Sequence, residues 1–96
     1  MEFVTGWRTN GRGGWVYCKN GKMVVGWHYL EWSKGKDWFY FKEYEYPTGY
    51  SDSDGEDTYA YYIEMLTGWQ YLEKDGKKDW FYFDPKNGNL LKIGKD

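Results

Sequence analysis

Cysteine occurs once in this 96-residue chain, at Cys18, so no internal disulfide can hold the fold together. Histidine also occurs once, at His28, and no nucleophile motif accompanies it, which leaves an enzyme active site without its usual parts. Leu, Ile and Val are sparse, and no apolar run approaches the ~20 residues of a membrane span, so membrane insertion is not expected. No basic block breaks the interleaved Lys and Asp/Glu, and the formal net charge is -2. A nucleic-acid partner, which needs a concentrated positive face, is therefore not expected. The N-terminus MEFVTGWRTN lacks a basic-then-apolar export signal. The expected location is the cytoplasm for a complete chain, or the cell wall or exterior for a piece of an exported one.

What the chain has instead is rings. Aromatic residues make up 24% of it, against a mean hydropathy of -0.95 and 29% charged residues. Without the rings such polarity would suggest disorder. With them, a folded single domain over residues 1–96 is expected, its core built from aromatic side chains that each bury a large area.

The rings recur. Gly-aromatic pairs stand at Gly6-Trp7, Gly26-Trp27, Gly49-Tyr50 and Gly68-Trp69, spaced by 20, 23 and 19 residues. Each is followed by a polar, Gly-bearing stretch and a second cluster: Trp15-Val16-Tyr17, Trp38-Phe39-Tyr40-Phe41, Tyr59-Ala60-Tyr61-Tyr62 and Trp80-Phe81-Tyr82-Phe83. This reads as about four units, approximately 5–24, 25–47, 48–66 and 67–96, the third degenerate. Within a unit the period is two, which argues for strands, and Gly-bearing turns such as Ser33-Lys34-Gly35 and Lys74-Asp75-Gly76 argue for hairpins. No segment carries a helical stripe. The expected fold class is all-β, a short solenoid of stacked β-hairpins in which each unit lends stability to the next.

Gly21-Lys22-Met23-Val24-Val25-Gly26-Trp27 and the cluster Trp80-Phe81-Tyr82-Phe83 resemble the cell-wall-binding repeat. That repeat occurs in choline-binding proteins of Gram-positive bacteria and their phages and in glucan-binding regions of glucosyltransferases. A relative forms the repeats of clostridial toxins. The resemblance spans essentially the whole chain and implies a left-handed spiral of hairpins that binds a wall ligand between successive repeats. By position it implies aromatic cages of Trp7 with Trp15, Met23 and Trp27; of Trp27 with Trp38; and of Tyr50 with Tyr59, Met65 and Trp69. Trp69 and Trp80 would need a further repeat to complete theirs.

Other features read more plainly. The Ser51–Asp57 run looks like a calcium loop, but its Gly55 lies too close to the first Asp for that geometry, and a solvated turn is expected. His28 and Cys18 read as packing residues, and Asp37 and Asp79 as turn-closing residues. No cofactor or metal is expected. The functional expectation is a non-catalytic module for choline-decorated teichoic acid or a related cell-wall glycan. The alternative is a small intracellular protein, of phage or mobile-element origin, that binds and inhibits a host protein through the same rings. Pairing of end hairpins would permit a homodimer.

Overall fold

The structure, a computed structural model, describes residues 4–96. Among these residues the chain is all-β, with nine strands and no helix. They form three antiparallel sheets of three strands each, taken in chain order. The first sheet holds β1 (Gly6–Thr9), β2 (Trp15–Lys19) and β3 (Lys22–Met23). The second holds β4 (Gly26–Trp32), β5 (Gly35–Ser51) and β6 (Asp57–Met65). The third holds β7 (Gly68–Lys74), β8 (Lys77–Phe83) and β9 (Leu90–Ile93).

Register makes the three sheets versions of one unit. Gly6, Gly26 and Gly68 lie opposite Cys18, Phe41 and Phe83; Trp7, Trp27 and Trp69 lie opposite Tyr17, Tyr40 and Tyr82. The third strands match as well, since Cys18, Phe41 and Phe83 pair onward with Met23, Met65 and Leu90. Because a one-residue slip would turn every ring to the wrong face, this shared register is what the period-two pattern specifies. Asn20-Gly21 and Asp75-Gly76 close two of the hairpins with positive φ at both central residues, the arrangement that matches strand twist.

The fourfold reading needs a correction. Residues 48–66 form no sheet of their own. They belong to β5 and β6, which pair far beyond the limits of the unit, from Phe41↔Met65 out to Ser51↔Asp57. The span from Phe41 to Met65 is an insertion where the first unit needs only the short step from Cys18 to Met23. Gly49-Tyr50 imitates a repeat start because its local chemistry, a positive-φ Gly followed by a ring, suits an irregularity in a strand as well as a hairpin origin.

Inward positions of the clusters make the core. Phe39, Phe41 and Phe83 are essentially inaccessible, and Val16, Ile63, Met65, Leu66 and Phe81 are buried with them. Each such side chain contributes about 1.5–3 kcal/mol when taken from water. The units are joined by one repeated contact. Trp7 sits edge-on to Phe39 at 4.7 Å and beside Phe41 at 5.8 Å. Trp27 meets Phe81 at 4.8 Å and Phe83 at 5.6 Å in the same way.

Candidate ligand groove

Each unit presents a pair of tryptophans across its hairpin, and the structure gives the three pairs different surroundings. Trp27 and Trp38 meet at 6.2 Å, nearly perpendicular. The space over them is taken: the Lys74 ammonium lies 4.1 Å from the Trp38 ring and 5.7 Å from Trp27. Trp69 and Trp80 are likewise covered by Lys95, at 5.4 and 3.7 Å, with Lys92 at 6.0 Å from Trp69. The chain's own cations therefore occupy two of the three ring pairs.

The first pair is arranged otherwise. Trp32 stands where the sister stretch has Lys74, as the alignment of Glu31-Trp32 with Glu73-Lys74 shows. Instead of an ammonium it brings another ring. A groove of about 270 Å³ opens here, lined by Trp7, Trp15, Trp32, Phe39 and Met65, with Ser33, Lys86 and Asn87 at its polar margin. Trp32 is locked by its indole N–H, which donates to Asp37 Oδ2 at 2.7 Å, so Asp37 does more than close a turn. Trp7 is fixed on one side by Phe39 and by its N–H donated to the Glu31 carbonyl at 3.1 Å. Trp15 remains 45% exposed, so one wall of the groove is a largely free ring face.

The polar margin comes from the loop after β8. Asp84 Oδ1 accepts hydrogen bonds from the amides of Lys86 and Asn87 at 2.8 and 2.9 Å, and Gly88 N donates to the Asp84 carbonyl at 2.9 Å. Those two amide bonds, the Asn87 one first, hold the Asp84 carboxyl below the usual carboxylate range. The glycine is required as well. Gly88 has φ of 76°, and a Cβ there would collide with the side chain of Met65, the residue at the floor of the groove.

The expected cages are thus only partly assembled. Trp7 and Trp15 share the groove with Met65 in place of Met23, which is half-exposed on the short β3. Tyr50 and Tyr59 lie out on the inserted β5–β6 arm, exposed, while Met65 at the base of β6 is buried. Trp69 and Trp80 pair with Tyr82 and Tyr71 within their own sheet. Sequence reasoning missed Trp32, Phe39, Ser33, Lys86 and Asn87. Of these only Trp32 carried a legible signal, as the single aromatic intrusion between two otherwise parallel stretches.

His28 has a plain structural part. Its ring Nε2 lies 2.9 Å from the Val25 carbonyl, and Gln70 Nε2 donates to the Thr67 carbonyl at the same distance in the third unit. The Ser51–Asp57 turn is closed by Asp52, whose Oδ1 accepts from the amides of Asp54 and Glu56.

No family model, no curated protein and no solved structure matches this chain.

Proposed function

We propose that this chain is a non-catalytic binding module, its three units wound as a short hairpin solenoid, that takes choline on teichoic acid or a related cell-wall glycan in the groove between Trp7, Trp15 and Trp32. One observation carries the reading. Of three equivalent ring pairs, two already hold an ammonium of the protein itself, and the remaining one opens into a groove. Lys74 and Lys95 are internal precedents for a cation over these rings, an attraction of ~0.5–2 kcal/mol that grows as water is excluded. Lys86 at the margin suits the phosphate that would accompany a choline group.

The test is tryptophan fluorescence titrated with choline, phosphocholine and glucan oligosaccharides. Saturable quenching that Trp15→Ala abolishes, with the circular dichroism of the fold retained, supports the reading. A flat response from the folded protein to every ligand overturns it.

A second reading, a surface for a protein partner, is favoured by the arm. Tyr50, Tyr59 and Tyr61 are 77%, 50% and 60% exposed there, and no Lys or Arg stands anywhere between Glu43 and Glu73. Exposed tyrosines such as these, here on a two-stranded support, are frequent anchors of protein interfaces. Quantitative capture from a host lysate by the native chain, lost with Tyr59→Ser and Tyr61→Ser, would support this reading; equal capture by both would overturn it.

A further inference from the structure

The groove does not end at Trp15. On its other side lies a second cleft of about 380 Å³, and Trp15, Met65 and Lys86 line both. The second cleft is polar where the first is aromatic. It is bounded by Tyr44 and Glu64 at the root of the inserted arm, by Gly13 and Gly14 of the β1–β2 loop, and by Gln70 of the third sheet. All three sheets contribute to it, so it exists only because the units have come together.

We propose that Tyr44, Glu64 and Lys86 form a polar subsite continuing the tryptophan groove, so that the cleft takes a linear, uncharged oligosaccharide of at least two sugar rings. This rests on the glycan form of the function proposed above and names its ligand class. A ring stacked on Trp15 would leave its neighbour beside Glu64.

The chemistry of the second cleft favours hydroxyl groups, which both donate and accept. Glu64 offers an acceptor, Lys86 a donor, and Tyr44 a phenol able to serve as either. Neither Glu64 nor Lys86 is ion-paired among the described residues, where the recorded pair is Lys74 with Asp75. Burial first, and then the neighbouring Glu64, raise the Tyr44 phenol, so it keeps its proton at neutral pH. A polyanion would meet Glu64 and a polycation Lys86, whereas a neutral sugar meets neither as a repulsion. A bare choline would leave these groups unused. The two parts together fall within the ~300–1,000 Å³ of small-ligand sites.

The subsite is also preformed. Asn10 accepts the Arg12 and Gly14 amides on Oδ1, at 2.8 and 2.9 Å, and its Nδ2 donates to the Ile63 carbonyl at 3.1 Å. This pins the β1–β2 loop to the arm one residue from Glu64. At Gly14 a Cβ would stand 2.6 Å from Glu64 Oε1, so the glycine leaves the room that the carboxylate occupies. Groups held before binding lose less entropy on binding.

The experiment is calorimetric titration of the intact chain with two series of one to four rings, β-1,4-linked N-acetylglucosamine and α-linked glucose, with choline chloride in parallel. At least one series should gain about tenfold or more in affinity from one ring to two. Glu64→Gln, and separately Tyr44→Phe, which retains the ring stacked on Tyr62, should collapse that two-ring to one-ring ratio toward unity. Binding without length dependence, or a ratio that survives both variants, overturns the inference and leaves the groove reading standing. No response to any sugar or to choline overturns both.

Discussion

The indole N–H of Trp27 donates to the carbonyl oxygen of Glu73 at 2.9 Å, reaching from the second sheet into the third. Trp7 makes the same bond to Glu31, from the first sheet into the second. In each case the ring also lies against a Phe-x-Phe pair of the next unit. A single tryptophan thus supplies both the packing and the hydrogen bond that join neighbouring units. Trp69 is the third of the series, and among the described residues no further sheet lies beyond it.

That difference predicts unequal costs of removal. Trp27→Ala should lower the unfolding free energy by about 3–5 kcal/mol, because it empties the contact between two sheets. Trp69→Ala should cost less than about 2 kcal/mol, its ring being 37% exposed already. Urea denaturation of both variants checks the order.

Removing a lysine should open a ring pair. With Lys74→Ala, the pair Trp27 and Trp38 loses its internal ammonium. Choline titration should then show an additional saturable component that the native chain lacks. Lys95→Ala should do the same at Trp69 and Trp80.

The loop that carries Lys86 and Asn87 should be acid-sensitive. The Asp84 carboxyl lies below its ordinary value in the folded chain, so it binds protons less readily folded than unfolded. Its contribution is present above the unfolded value of about 3.9 and is lost as pH falls through the folded one. Groove affinity, followed by fluorescence, should therefore fall below about pH 4, and Asp84→Ala should weaken it at neutral pH.

The inserted arm is held to the first sheet by Arg12, whose guanidinium lies 4.2 Å from the Tyr62 ring and 4.8 Å from Tyr46. Arg12→Ala should cost about 0.5–2 kcal/mol. Hydrogen exchange should show the loss concentrated in the distal pairs of β5 and β6.

His28→Gln should be nearly silent, within about 0.5 kcal/mol, because Gln70 already makes the equivalent bond in the third unit. His28→Ala should cost about 1 kcal/mol by losing it. Thermal unfolding distinguishes the two.

The strand character and the hairpin turns were legible because period-two alternation and Asn-Gly or Asp-Gly pairs are local signals, whereas which rings of each cluster face inward was not. Gly26-Trp27 and Gly68-Trp69 were recognisable as equivalent because their stretches match almost residue for residue. Gly49-Tyr50 misled for the same reason. A Gly-aromatic pair encodes a local conformation, and only the long pairing of β5 with β6 decides that it belongs to an arm.

What the sequence by itself determined, then, is local: which residues alternate and where the hairpins turn. Those follow from backbone sterics and burial within ten or twenty residues. Which tryptophans stay open was decided only by tertiary structure. Trp15 lines one groove with Met65, Trp32 and Lys86, which lie 17 to 71 residues away along the chain, and Lys74 covers Trp27 and Trp38 from another sheet. Such arrangements depend on how the three sheets come together, and no periodicity along the chain records that.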